Sequence, residues 1–209
     1  SSSAIIGALK KIDEIYSSTY KIACTNLSLG GEVTTGFASA LNDYNTIFNK
    51  LKEKNILNVV AAGNRKNNPQ NTAEVLPAAC EDSAIVVSAL KATTNSHNVY
   101  TGMEYDSSYS NYGTSVDISA PGTGIYSAYK ASFNSSSSTY INKYAYMDGT
   151  SQATPHVSAC VALLCLDNDY YSTSTASYTP SEIESRIFNS ATDLGDPKKD
   201  EKYGWGALC

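Results

Sequence analysis

An α/β domain built on a mostly parallel central sheet is what the sequence predicts, on three observations. Apolar runs of strand length recur at Ile22 to Leu29, Ile56 to Ala62, Ala84 to Leu90 and Val116 to Ala120. Between the first two, Phe37, Leu41, Tyr44, Phe48 and Leu51 fall at helical spacing. Late in the chain a long apolar helical pattern, Ala153 to Leu166, offers cover for a sheet. Strands alternating with helices read as a parallel sheet covered on both faces, because a parallel connection needs a crossover that a helix fills. At 209 residues and 22.3 kDa the chain suffices for one substantial core, and residues 1–209 are read as one domain or most of one.

In chain order, Ser3 is placed to cap a helix running from Ala4 to about Ile15. The strand Ile22 to Leu29 stops at Gly30-Gly31, a turn signal, and the strand Ile56 to Ala62 stops at Gly63-Asn64. The segment Tyr126 to Tyr146, rich in Ser and Tyr with the low-complexity run Ser135 to Ser138, reads as a loop or a hairpin. Ala153 to Leu166 is apolar almost all round (Val157, Ala159, Val161, Ala162, Leu163, Leu164), which predicts a helix buried in the middle of the domain. Thr179-Pro180 supplies an N-cap and a first-turn proline for an amphipathic helix from Ser181 to Ser190.

Composition removes several functional classes. A net charge of -5, a pI near 5.0 and 15 Lys+Arg without a cluster disfavour nucleic acid and anionic membranes as partners. No apolar run approaches the ~18–20 residues that span a bilayer, so no membrane span is expected. The first residues lack a charged segment followed by an apolar one, so any secretion signal is read as already removed. The five cysteines, Cys24, Cys80, Cys160, Cys165 and Cys209, form no C-x-x-C pair, so structural thiols or disulfides are expected rather than a zinc ribbon or redox motif. An odd count leaves at least one thiol free or bonded outside this chain.

Chemistry concentrates in Gly149-Thr150-Ser151-Gln152-Ala153-Thr154-Pro155-His156-Val157. It sets a serine at the first turn of an apolar helix, where unpaired N–H groups and the positive end of the helix dipole favour developing negative charge. Ser151 considered alone reads equally well as an N-cap. The nine residues together strongly resemble the nucleophile signature of the subtilisin-like serine peptidases, the subtilases. Three further segments match that family in the same order. Asn26-Leu27-Ser28-Leu29-Gly30-Gly31 resembles the strand end that binds an extended substrate backbone, with Ser28, Leu29 and Gly30 lining subsites. Val59-Val60-Ala61-Ala62-Gly63-Asn64 resembles the strand leading to the oxyanion asparagine, Asn64. Tyr109 to Gly113 and Val116 to Gly122 resemble the connector into the nucleophile segment, and Asp117 within it is not read as a triad acid. The match ends at Tyr203-Gly204-Trp205-Gly206.

Subtilases order their triad as Asp, His, Ser, with an Asp-Thr-Gly or Asp-Ser-Gly strand end and a His-Gly-Thr helix start. Neither motif occurs in these 209 residues. The two histidines are His97, in a polar stretch, and His156, five residues past Ser151 on the same helix and therefore on another face. His97 is read as solvated surface and His156 as a structural helix residue.

The resemblance implies a three-layer subtilisin-like fold whose N-terminal strands are absent from this chain. It also implies a serine endopeptidase in which Ser151 forms an acyl-enzyme, Asn64 and the Ser151 N–H hold the oxyanion, and Thr150 adjoins the substrate. His and Asp are expected from an N-terminal polypeptide of the same domain, and the chain alone is expected to be inactive. Ala61, Ala62 and Gly63 are expected to wall the S1 pocket, with Glu74 or Val75 near its floor: a Glu floor would favour basic P1 residues and an apolar floor apolar ones. Gln152 stands where many relatives carry an oxidisable Met, and Ser158-Ala159 replaces a frequent Ala-Gly. No cofactor is required for the chemistry. Structural calcium is expected from the family alone, without an acidic cluster here to hold it. Peptide or protein substrates and an extracellular location follow from the resemblance. The rivals are a non-catalytic peptide-binding pseudopeptidase and a structural partner subunit.

Overall fold

A computed structural model of the protein describes residues 1–16, 22–33, 35–65, 71–134, 136, 139–167 and 178–209. The strands are β1 (Cys24–Leu27), β2 (Gly31–Glu32), β3 (Leu57–Ala61), β4 (Val75–Leu76), β5 (Ile85–Thr94), β6 (Tyr100–Tyr105), β7 (Val116–Pro121), β8 (Ile125–Asn134) and β9 (Thr139–Met147). The helices are α1 (Ser2–Ile15), α2 (Phe37–Glu53), α3 (Thr150–Asp167) and α4 (Pro180–Ser190). Strands β1, β3, β5 and β7 pair in parallel in that order, and β6 adds antiparallel to the far end of β5. The chain thus adopts the α/β class with a mostly parallel sheet that its sequence predicts.

Side-chain alternation along each strand builds the layers. Leu57, Val59, Ile85, Val87, Ala89, Ile118 and Ala120 project to one face and pack on Ala153, Val157 and Val161 of α3 and Ile183 and Ile187 of α4. Val60, Val86 and Val116 project to the other and join Ile6 and Leu9 of α1 and Tyr44, Phe48 and Leu51 of α2. With both faces covered, β3 is buried along its whole length. Helix α1 is tied to α2 by Asp13, whose carboxylate lies 2.5 Å from Lys50 Nζ and 2.5 Å from Lys54 Nζ. Hydrogen bonds from Lys50 first and then from Lys54 hold the Asp13 pKa below its ordinary value against the opposing effect of burial.

Several expectations shift. Helix α1 starts at Ser2 with Ser1, not Ser3, at its N-cap position. Helix α3 is not buried all round: Ala153, Val157, Val161 and Cys165, four apart, meet the sheet, while Leu163 and Leu166 are 65% and 61% exposed. An apolar circumference does not reveal that α3 lies on the outer side of the sheet. The far half of β5 and β6 escaped the apolar pattern because their residues are largely polar and half exposed. Tyr126 to Tyr146 follows the hairpin alternative, with Tyr126 opposite Tyr146, and positions 135, 137 and 138 lie outside the described residues. Helix α4 is capped by Thr179 as expected, and Glu182 completes a reciprocal capping box. All five cysteines are free thiols. Burial pushes Cys24 up to about 11, Cys80 to about 12 and Cys165 to about 11, which leaves them protonated and unreactive.

Candidate active site

The C-terminal ends of β1 and β3 and the first turn of α3 converge. Ser151 stands in that first turn, where the backbone N–H has no intrahelical acceptor. Four residues on, Pro155 lies inside the helix and lacks an N–H, so the Ser151 carbonyl loses its helical donor. Ser28 replaces it: its Oγ donates to the Ser151 carbonyl at 2.7 Å, and Ser151 Oγ donates to the Ser28 carbonyl at 3.0 Å. This reciprocal pair links the nucleophile helix to the end of β1. Reading the sequence missed this role of Ser28, although the proline at the fourth position after the serine was its signal.

Asn64 is placed by the turn after β3. Gly63 has φ +97°, and a Cβ there would come within 2.6 Å of Asn111 Nδ2, so the position requires glycine. The Asn64 Oδ1 accepts from the Thr150 N–H at 2.8 Å and from Thr150 Oγ1 at 2.9 Å. Thr150 Oγ1 in turn accepts from the Gly63 N–H at 3.1 Å. With its oxygen so engaged, the amide presents its nitrogen as the donor, 3.1 Å from where a Cβ on Gly149 would lie. Thr150, expected beside the substrate, is fully buried instead and orients Asn64 from beneath.

The other expected subsite residues divide by exposure. Leu29 and Gly30 are exposed at the end of β1 and Ser28 is half-buried. Ala61 and Ala62 are buried in the sheet, and Ala62 spends its N–H on Val87 and its carbonyl on Asn111, so Gly63 alone of that trio reaches the surface. Between the two strand ends lies Val75, its Cγ1 3.6 Å from a Cβ built on Gly30 and 3.3 Å from one built on Gly63. Glu74 is exposed. Of the two floor candidates, Val75 is therefore the one set between the subsite strands. On the other side of Ser151, a cleft of about 460 Å³ opens between the β8–β9 hairpin and α3, lined by Ile125, Ser127, Ala145, Met147, Ser151 and Gln152. Gln152 replaces the usual methionine, yet Met147, 43% exposed, puts an oxidisable sulfur in the same cleft.

Neither histidine is hydrogen-bonded to Ser151. His156 Nδ1 lies 3.0 Å from the Gln152 carbonyl of its own helix, and His97 is exposed between β5 and β6 with Nδ1 3.4 Å from Ser96 Oγ. Asp117 accepts from the Val86 N–H at 2.9 Å and from Lys199 Nζ at 2.8 Å, a bond across the sheet rather than a triad contact. Burial, outweighing Lys199, raises its pKa. Among the described residues no group of three or more His, Cys, Asp or Glu side chains is suited to a metal ion. No described helix is long and apolar enough to cross a membrane.

A mostly parallel sheet covered on both faces, with a serine at the first turn of a covering helix and an asparagine amide beside it, is a subtilisin-like fold. Comparison with known proteins agrees. Residues 3–206 match the subtilase family, and the chain belongs to it. It is 35% identical over 169 residues to an extracellular protease of Xanthomonas campestris, covering 81% of this chain and 24% of that protein. With the minor extracellular protease Epr of Bacillus subtilis it shares 35% over 185 residues, covering 88% of this chain and 23% of the other. The crystal structure of a lanthipeptide protease superposes over 100% of this chain and 64% of its own, with a TM-score of 0.76 at 21% identity, and so shares the fold. The chain spans about a quarter of the length of those two sequence relatives.

Proposed function

We propose that the protein is a serine endopeptidase of the subtilisin type, hydrolysing peptide bonds through an acyl-enzyme on Ser151, with its His and Asp supplied by a segment outside these 209 residues. The observation that carries the reading is that the Thr150-held Asn64 amide nitrogen and the first-turn Ser151 nitrogen lie 3.1 Å and 3.7 Å from one point, the place of a Cβ built on Gly149. An extended substrate lies along Ser28 to Gly30 as an added strand, with an apolar P1 side chain entering against Val75. Ser151 Oγ attacks the scissile carbonyl while its proton passes to the incoming His. Asn64 Nδ2 and the Ser151 N–H donate to the oxygen as it becomes an oxyanion. Collapse expels the amine, which takes that proton, and water then releases the acyl group by the same route.

The place for the missing segment is the outer side of β1. Among the described residues β1 pairs with β3 alone, and a groove of about 560 Å³ beside it is lined by Ala4, Ile5, Ala8, Ile12, Leu27 and Leu29. An unpaired strand edge flanked by apolar side chains is a surface that a neighbouring strand and its side chains would cover. The Ser151 hydroxyl, donating to a carbonyl, is in the protonated resting form, which without a base is a weak nucleophile. The names of the extracellular relatives support secretion. A peptide-hydrolysis assay on the full polypeptide that carries this chain tests the reading. Hydrolysis that disappears in Ser151→Ala is expected. Peptide binding without hydrolysis, unchanged by that substitution, would instead make it a pseudopeptidase.

A further inference from the structure

Asp106 is a carboxylate with 3% of its surface exposed, standing between β6 and the connector to β7. Its Oδ1 accepts from the Ser108 N–H at 3.1 Å and from Ser108 Oγ at 2.6 Å, and its Oδ2 accepts from Thr123 Oγ1 at 2.7 Å. Thr123 Oγ1 also lies 2.7 Å from the phenol oxygen of Tyr109. An ionised carboxylate only accepts, so Thr123 spends its single proton on Asp106 and must accept from Tyr109. The Tyr109 proton is thereby committed to Thr123. The chain of donors runs one way: Tyr109 to Thr123 to Asp106.

Gly149 is two residues before Ser151, and its surroundings leave it little freedom. Its N–H donates to the Gly122 carbonyl at 2.9 Å, and the Gly124 N–H donates to Asp148 Oδ1 at 2.7 Å. The turn holding Thr123 is thus fastened to residues 148 and 149 on both sides of the hydroxyl. The next N–H along, that of Thr150, donates to Asn64 Oδ1. One peptide is held by the Asp106 network and its neighbour by the oxyanion asparagine.

A buried carboxylate is costly, and an apolar residue would fill the space without desolvating a charge. Directional hydrogen bonds give what an apolar residue cannot, a fixed orientation for each group in the series. Burial acts most strongly on Asp106, to raise its pKa. The bonds from Ser108 and Thr123 and the charge of Lys91 together bring it below the ordinary value, so it stays an acceptor.

We propose that Asp106, Thr123 and Tyr109 form a positioning relay that fixes the turn from Gly122 to Gly124 and, through the bonds of that turn to Asp148 and Gly149, the direction of the Ser151 N–H and hydroxyl relative to Asn64. The relay rests on the reading of Ser151 as nucleophile. None of its three members touches the reacting atoms.

The test uses the full polypeptide that carries this chain, with Thr123→Val, Thr123→Ser and Tyr109→Phe. Valine matches threonine in shape and removes the hydroxyl, whereas serine keeps it. Thr123→Val and Tyr109→Phe are expected to lower kcat about tenfold, a ~1.4 kcal/mol effect on the transition state, with KM within about twofold. Thr123→Ser is expected to retain most of the rate. Amide hydrogen exchange of a peptide covering residues 148–152 should quicken in Thr123→Val and not in Thr123→Ser. Unchanged kcat and exchange in Thr123→Val, or equal losses in the valine and serine variants, would overturn the relay. Should the unaltered protein not hydrolyse peptides, the nucleophile reading fails. The exchange result then decides the relay alone, quickening in Thr123→Val supporting it and no change overturning it.

Discussion

Along strand β7 the C-terminal segment seals the central sheet, whereas along β1, at the opposite edge, none of the described residues does. The Ser119 N–H donates to the Gly206 carbonyl at 2.9 Å, the Trp205 N–H to Asp117 at 2.8 Å and the Leu208 N–H to Ser119 at 2.8 Å. Gly204 lies so near that a Cβ would come within 2.1 Å of the Asp117 carbonyl carbon. At β1 the outer side instead faces the apolar groove beside α1. The difference divides the chemistry. On the proposed function, Ser151 and Asn64 rest on elements completed within the chain, and the base would come from the side where the sheet is open.

The largest expected effect breaks the sealed edge. Gly204→Ala would force a side chain into backbone at φ +60°, and a loss above ~4 kcal/mol in urea unfolding is expected. A loss under ~1 kcal/mol would mean that the C-terminal segment does not seal β7 as described. Next comes Asn64, the proposed oxyanion donor, which lies in the completed half. In the full polypeptide, Asn64→Ala should lower kcat by roughly a hundred- to a thousandfold at nearly constant KM, a magnitude of ~2.7–4 kcal/mol borrowed from subtilisin, a member of the same family. A rise in KM at constant kcat would make Asn64 a binding residue instead.

Helix α1 walls the open edge and is anchored through Asp13. Because Lys50 and Lys54 are partly exposed, Asp13→Asn is expected to cost only about 1–2 kcal/mol at neutral pH. The folded pKa of Asp13 is lowered, so its contribution is present above the ordinary value of 3.8 and is lost as pH falls through the folded value. Urea titrations of the two proteins should therefore converge as pH drops below 3.8, and a gap that stays constant into acid would exclude the ion pairs as its source. The smallest effect concerns the seam between the halves. Ser28→Ala removes the donor that replaces the Pro155 N–H, with an expected loss of about 1 kcal/mol, or roughly fivefold in kcat. An unaltered rate would show that the Ser151 carbonyl needs no such support.

Much of this was legible in the sequence, for identifiable reasons. Strands β1, β3 and β7, the buried half of β5, and helices α2 and α4 announced themselves because burial on one or both faces leaves a periodic apolar record. Ser151 and Asn64 stood out through their neighbours, since the side chains of Asn111 and Gln152 leave no room for a Cβ at Gly63 and Gly149. What escaped was polar and non-local. The β5–β6 extension has no apolar face to betray it, and the burial of Thr150 depends on Asn64, 86 positions away. The partnership of Asp106, Thr123 and Tyr109 leaves no periodicity at all. Exposure of Leu163 and Leu166 could not be read from an apolar helix, since composition does not say which faces a neighbour covers.

The central claim is that the base for Ser151 arrives from outside these 209 residues, at the β1 edge. Fluorophosphonate labelling of Ser151 tests it most directly, comparing the isolated chain with the full polypeptide under the same conditions and locating the label by peptide mass. Stoichiometric labelling of the full polypeptide and negligible labelling of the isolated chain are the predicted results. Rapid labelling of Ser151 in the isolated chain would mean that a base is already present on it and would contradict the account.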